Sequence, residues 1–369
     1  MILKNIELRN FRNYEKLKLD LSEKINIFIG DNGAGKTNFL ESIYMLAITK
    51  SHRIYGDKNV IKDKKINSII KGRIIEKSNL YDLEIYITNE TKNVSIDNNK
   101  ISYLSDYISK FNVILFSPDD LELIKGAPLI RRKFLDIEIS QIDNSYIKFL
   151  IEYKKILKIR NNYLKSITEI KYDEIYLNIL NEKFCTLSSI ITVKRKQFID
   201  KLNLQLNNYF YKIGGTFNLK LDYITNINYS SFDSETIKKE LFTKIKKDLK
   251  KEIKMNKTLY GIHRDDFIFL GNDKDIIFFG SQGQMRIAIL ALKLSEIKLF
   301  QLVKGVLPIL LLDDIFSELD ITKRNNILNC FDENIQIIIT TTDLENIEDN
   351  LIKKAKIYKV YDETIEGVN

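Results

Sequence analysis

Hydrophobic and polar residues alternate from Ile2 to Leu8, and they alternate or run apolar from Lys16 to Ile29, as paired strands would. Residues 38–49, N-F-L-E-S-I-Y-M-L-A-I-T, switch to a helical period, and 69–116 reads as short strands parted by polar turns such as D-N-N-K. From about Pro118 the pattern changes. Residues 129–168 and 173–212 predict two long helices, broken near E-I-K-Y-D and ended by Gly214–Gly215. At ~1.5 Å per residue each would run roughly 60 Å, enough to form a helical arm. A short strand-like segment follows, then a single basic amphipathic helix over 236–254. From Phe267 onward strand and helix alternate as in an α/β layer. The expected architecture is therefore an α/β head split by a helical arm, with head halves at 1–117 and 261–369 and the arm at 118–260.

Composition changes this picture little. The chain has 369 residues, 44% hydrophobic and 29% charged, ordinary for a globular protein with about two domains. The N-terminus has no uninterrupted apolar core, so no signal peptide is expected. The longest apolar run, Val306 to Leu312, holds a proline and ends at two aspartates, far short of a membrane span. Two distant cysteines, Cys185 and Cys330, fit a reducing cytoplasm better than a disulfide framework or zinc site. The net charge of +8 invites a nucleic-acid partner. Only 11 of the 58 basic residues are Arg, however, and that lysine bias also follows from an AT-rich coding sequence.

The chemistry begins at G-D-N-G-A-G-K-T, which comprises Gly30, Asp31, Asn32, Gly33, Ala34, Gly35, Lys36 and Thr37. An apolar strand leads in and an amphipathic helix leads out, the context a phosphate-binding P-loop requires. The glycines let the backbone turn its N–H groups toward phosphate, and the helix N-terminus adds positive potential. Lys36 is expected on the β- and γ-phosphates of ATP and Thr37 on Mg²⁺. P-I-L-L-L-D-D-I then supplies Asp313 for the metal and Asp314 to polarise the attacking water. S-E-L-D at 317–320 and the strand I-I-I-T-T-T-D follow. The turn S-Q-G-Q (Ser281, Gln282, Gly283, Gln284) opens an apolar helix with more polar groups than one N-cap needs. The order P-loop, S-Q-G-Q, L-L-L-D-D, S-E-L-D is that of ABC-type ATPases, in which such a turn completes the ATP site of a second subunit.

With N-F-R-N-Y at 10–14, S-H-R at 51–53, F-S-P-D-D-L-E-L-I-K-G at 116–126, R-R-K-F-L-D at 131–136 and H-R-D-D at 263–266, the chain resembles the RecF family of bacterial recombination-mediator ATPases, relatives of SMC proteins. The resemblance implies a cytoplasmic protein that binds ATP and DNA and forms an ATP-dependent homodimer. It also implies work with RecO and RecR to load RecA at single-strand gaps, in repair, replication and the SOS response. The chain departs from the pattern in having Ile262, not Pro, before H-R-D-D. Thr341 or Thr342 stands where other ABC proteins place a switch histidine, and Asp314 stands where they place Glu. The shorter acid holds water less closely, so slow hydrolysis is expected.

Arg12, in the turn after the first strand, is a candidate for the nucleotide, against a solvated turn arginine. His52 and His263 read either as phosphate or interface residues or as structural ones. The basic helix near 237–254, with eight Lys against three acids, reads as a DNA-backbone contact or as a solvated face. Single-stranded, gapped and duplex DNA remain open as substrates. The alternatives to an ATP-gated DNA switch are a short SMC-like clamp and a transporter's ATPase subunit. The long arm and absent switch histidine count against the transporter subunit, and an arm too short for long coiled coils with a hinge counts against the clamp.

Overall fold

The computed structural model describes all residues except 55, 169, 170, 345, 346, 348, 362 and 369, and the side chains of 317, 318, 349 and 350. Part of the expected helix break at E-I-K-Y-D, and the Ser317 and Glu318 side chains of S-E-L-D, thus lie outside the described residues. The chain divides into two compact units. One comprises 1–121, 205–216 and 282–369; the other comprises 122–204 and 217–281.

The first unit holds two six-stranded sheets. One is antiparallel, in the order Tyr14–Asp20, Ile2–Phe11, Asn67–Glu76, Asn79–Thr88, Lys92–Ile96, Asn99–Lys100. Its inward positions, such as Leu3, Ile6, Ile70 and Ile85, are fully buried, as alternation over one covered face requires. The second runs Thr364–Val368, Ala355–Tyr361, Ile25–Ile29, Ile337–Thr341, Ile309–Asp313, Val113–Phe116. Every neighbouring pair in it is parallel except the final hairpin. Strands of a parallel layer are covered on both faces, which is why I-N-I-F-I, I-L-L-L-D and I-I-I-T-T read as continuous apolar runs. The helix Lys36–Ile48 is buried from Phe39 through Ile48 and packs against strands of both sheets. The helix Gln282–Lys304 packs against the Val113–Phe116 strand.

The second unit is mainly helical, with a three-stranded antiparallel sheet of Lys274–Asp275, Asp266–Gly271 and Leu219–Ile224. Two expected helices are each interrupted. The stretch 129–168 folds as Pro128–Ile142 and Asn144–Ser166, because Asp143 leaves the helix (φ −129°, ψ 103°) and caps the next one through Ser145 N. The stretch 236–254 folds as Ser234–Lys247 and Leu249–Met255, parted at Asp248. The expected boundary at 260/261 also differs from the observed one at 281/282. H-R-D-D and the strand after it belong to the second unit, since Asp266–Gly271 pairs along its length with Leu219–Ile224. No helix of the described residues is long and apolar enough to cross a membrane.

Candidate nucleotide-binding site

The strand Ile25–Ile29 delivers the loop 30–35 to the edge of the parallel sheet, and the helix Lys36–Ile48 carries the chain away. The loop's geometry demands its glycines. Gly33 and Gly35 have φ of +87° and +112°, which residues with a Cβ rarely adopt. A Cβ on Gly35 would also stand 2.5 Å from Asn13 Nδ2 and 2.8 Å from Tyr14 Oη. Tyr14 Oη donates to Gly35 O at 3.0 Å, tying the hairpin turn 12–13 to the P-loop. Asp31, Asn32 and Gly33 are exposed, whereas Lys36 lies buried beneath them. Lys36 Nζ donates to Gly30 O (2.6 Å) and Asp31 O (3.0 Å). Burial lowers the Lys36 pKa, and the carboxylates of Asp314, Asp313 and Asp31 oppose that shift.

Asp313 ends the Ile309–Asp313 strand and is buried. Its Oδ1 accepts from Thr37 Oγ1 (3.1 Å) and from Thr340 Oγ1 (2.6 Å). The strand Ile337–Thr341 lies between the P-loop strand and the Asp313 strand, with Thr340 in register with both Asp313 and Phe28. Thr341 O accepts from Gly30 N (3.3 Å). The hydroxyls of Thr341 and Thr342 turn to Asp343, at 2.8 Å to its carbonyl and 3.3 Å to its carboxylate. The threonine that reaches Asp313 is thus Thr340, one residue earlier than the two candidates. Asp314 is half-buried at φ +51°, a left-handed conformation that Asp tolerates better than most residues. Its N–H donates to Thr340 O at 3.1 Å, fixing the carboxyl's base.

Arg12 opens the two-residue loop between paired Phe11 and Tyr14, again at positive φ (+52°), where Gly or Asn is the usual choice. Its guanidinium is bidentate on Glu41 (2.7 and 2.9 Å) and also donates to Asn59 O. Glu41, fully buried on the P-loop helix, further accepts from Ser51 and lies 3.8 Å from Arg53. Arg53 donates to Asn38 Oδ1 (2.9 Å), and Asn38 Nδ2 donates to Asn13 Oδ1 (2.8 Å). Arg12, Asn13, Asn38, Arg53, Asn59 and Asp119 line an open pocket of about 510 Å³ next to the start of the P-loop helix. Sequence reading found Arg12 but missed Glu41, Asn13 and Asn38. The only signal was a carboxylate inside the largely apolar run F-L-E-S-I-Y-M-L.

Ser281, Gln282 and Gly283 are exposed and Gln284 is half-buried at the start of the helix Gln282–Lys304. The division between units falls between Ser281 and Gln282. His52 packs edge-on against Tyr44, with centroids 5.0 Å apart. His263 is enclosed in the second unit, its Nδ1 2.7 Å from Tyr153 Oη and its Nε2 3.1 Å from Thr258 O. Since the carbonyl can only accept, Nε2 carries the proton and Nδ1 accepts from the tyrosine. Burial lowers its pKa to about 4.

The family model described as RecF/RecN/SMC N terminal domain matches residues 2–366. The chain is 39% identical over 368 residues to the DNA replication and repair protein RecF of Listeria welshimeri, covering 99% of this chain and all of that one. This chain belongs to the RecF family. The RecF of Streptococcus agalactiae is 41% identical over 366 residues, covering 99% of this chain and 98% of that one. Among solved structures, the recombination mediator protein RecF with ATP in the RecFOR pathway is 32% identical with a TM-score of 0.90, over all of this chain and 98% of that one. An Smc head bound to the C-winged helix domain of ScpA, at 15% identity and a TM-score of 0.54 over all of this chain and 98% of that one, shares the fold alone. The fold is thus that of the RecF and SMC heads, an ABC-type ATPase.

Proposed function

We propose that this RecF-family chain is an ATP-gated DNA-binding switch. It acts as a homodimer in the cytoplasm, in recombinational repair, replication and the SOS response, and with RecO and RecR it loads RecA on single-stranded or gapped DNA. The observation that carries this reading is the junction of Thr37 and Asp313. Two oxygens on neighbouring vertices of a Mg²⁺ octahedron, with bonds of about 2.0–2.1 Å, stand about 3 Å apart. Thr37 Oγ1 and Asp313 Oδ1 stand 3.1 Å apart, and both are hard oxygen donors. The pair fits Mg²⁺, which would neutralise charge on the β- and γ-phosphates.

The remaining work belongs to the chain's own groups. Lys36, positioned by two carbonyls, directs its charge at the β/γ-phosphates, and the N–H groups opening its helix add their dipoles. The Asp314 carboxylate orients a water for attack on the γ-phosphate, with ADP leaving. Being short, it makes hydrolysis slow, a timer for the bound state. Arg12, kept in a strained turn and clamped by Glu41 beside the pocket, is placed to meet the nucleotide. Ser281–Gln284 and the helix they open complete the site of the second copy.

Mixing two inactive variants tests the shared site. Lys36→Ala holds ATP only weakly, and Ser281→Arg holds ATP but obstructs the seam. The mixed dimer regains one intact site, from the P-loop of the Ser281→Arg chain and the turn of the Lys36→Ala chain. ATP hydrolysis is expected to reappear on mixing, and wild-type turnover per chain to rise with protein concentration. Silence in the mixture with concentration-independent turnover in the wild type would refute the dimeric reading.

A further inference from the structure

The segment 237–254 carries Lys238, Lys239, Lys244, Lys246, Lys247, Lys250, Lys251 and Lys254 against Glu240, Asp248 and Glu252. Folding sharpens this asymmetry. Glu252 is fully buried, with Oε2 on Arg160 NH2 (2.5 Å) and Oε1 accepting from Leu259 N (2.8 Å). Asp248 is buried at the break between the two helices and holds Tyr260 Oη (2.5 Å), Lys244 (3.0 Å) and Lys251 (2.9 Å). Glu240 accepts from the N–H and hydroxyl of Ser230. All three acids are thus engaged inside the unit. Lys238, Lys244 and Lys251 pair with carboxylates, while Lys239, Lys246, Lys247, Lys250 and Lys254 stand exposed. The apolar face, Ile237, Leu241 and Ile245, is buried within the unit, so the segment has none left for a bilayer.

We infer that this lysine stripe is a sequence-independent contact for the phosphate backbone of DNA. The inference rests on the DNA-binding reading above and adds the surface that performs it. The stripe runs over two helices: Lys239 to Lys247 covers about 12 Å of the first at 1.5 Å per residue, and Lys250 and Lys254 stand on the second. Duplex DNA carries a phosphate for every ~1.7 Å of axis, so about seven lie within the span of the first helix alone. Lysine suits this role, because a mobile point charge on a long stem follows a backbone without demanding one geometry. Lys246 Nζ lies 4.9 Å from the Phe242 ring centroid, a cation–π contact one turn back on the same helix. The segment offers no Arg, Asn or Gln to read base edges, so its contribution is to affinity and salt dependence.

The test compares the full-length wild type with a variant carrying Lys→Gln at 239, 247, 250 and 254. A control variant removes the same charge from exposed Lys16, Lys77, Lys100 and Lys354 of the first unit. Binding of a 40-base-pair duplex is measured with ATP from 50 to 200 mM salt. Each lost backbone contact removes about 0.9 from the slope of log K against log salt. The stripe variant is expected to be shallower by roughly 3 to 4 and at least ~10-fold weaker at 100 mM salt. ATP binding should be unchanged, and Lys→Arg at the same positions should restore binding. An unchanged slope in the stripe variant, or an equal loss in the control, would overturn the inference while leaving DNA binding itself intact. A wild type that retains neither this duplex nor a gapped or single-stranded DNA with ATP would overturn the wider reading as well.

Discussion

Two buried cations, Lys36 of the P-loop and Arg160 of the second unit, are satisfied in opposite ways. Arg160 is closed within its own unit. Its three nitrogens donate to Asn181, Thr258 and Glu252, its guanidinium carbon lies 5.6 Å from the Phe184 ring centroid, and Glu252 cancels its charge. Lys36 donates to two carbonyls, which orient the ammonium but carry no net charge. Of its carboxylate neighbours, Asp313 already holds two threonine hydroxyls. A cation with a matched anion is architecture. One whose direct bonds are to carbonyl dipoles, with carboxylates near but not paired to it, keeps charge for a polyanionic ligand. Arg12 lies between these cases: bidentate on buried Glu41, yet still bordering an open pocket.

The largest effect expected from this contrast is on stability. Arg160→Ala strands the Glu252 carboxylate in the interior, at a cost of about 3–5 kcal/mol. In thermal unfolding the second unit should melt on the order of 10 °C earlier, while ATP binding below that transition persists. Lys36→Ala should do the reverse, leaving the melting temperature nearly unchanged and weakening ATP about 100-fold, as loss of a buried charge-assisted contact implies. If Lys36→Ala proved the more destabilising of the two, the distinction would be lost.

Acid should act next, and on the closed region. His263 titrates from its ordinary 6.5 down to about 4 because burial disfavours the imidazolium, with its bond to Thr258 O only partly opposing this. Between those values the unfolded chain binds the proton and the folded chain does not. Stability therefore falls as pH drops from 6.5 and levels off below about 4, by about 3 kcal/mol in total. Chemical denaturation of wild type and His263→Gln across this range isolates that contribution. Equal pH slopes in the two proteins would show that the imidazole is not enclosed as described.

The smallest effect is expected at Thr340. Thr340→Val keeps the shape but removes the bond to Asp313, so Mg²⁺-dependent ATP affinity should fall by ~5-fold, about 1 kcal/mol. Thr340→Ser should recover most of it. A titration in which Thr341→Val is the more damaging change would show that the bond from Thr340 to Asp313 is not what the site depends on.

Much of the site was legible because its loop chemistry is local. Gly33 and Gly35 announce positive φ, Lys36 and Thr37 sit at fixed spacing, and four apolar residues before Asp313 mark a buried strand end. Thr340, Asn13 and Glu41 were not legible in the same way. Their roles come from strand order and from a hairpin pressed against the P-loop, and three consecutive threonines give no local reason to choose the first. The fold's layers followed from periodicity, but the two helix breaks did not. Asp143 and Asp248 sit inside runs whose apolar spacing continues past them, and Asp248's partner Tyr260 lies twelve residues away. H-R-D-D reads as a loop before a head strand, yet its strand pairs with Leu219–Ile224, which no nearby residue announces.

The order of strands in the parallel sheet also sets a timetable. Ile25–Ile29 and Val113–Phe116 leave the ribosome early, but neither neighbours the other in the finished layer. Each waits for strands from the chain's far end, Ile309–Asp313, Ile337–Thr341 and Ala355–Tyr361. The P-loop strand is therefore synthesised about 300 residues before the strand that will flank it. At roughly 5–20 residues per second this leaves tens of seconds in which its edges have no permanent partner. An unpaired apolar strand is an aggregation hazard for that time. A nascent chain stalled before Ile309 should expose this segment to chaperones and be unable to hold nucleotide, however intact its P-loop sequence.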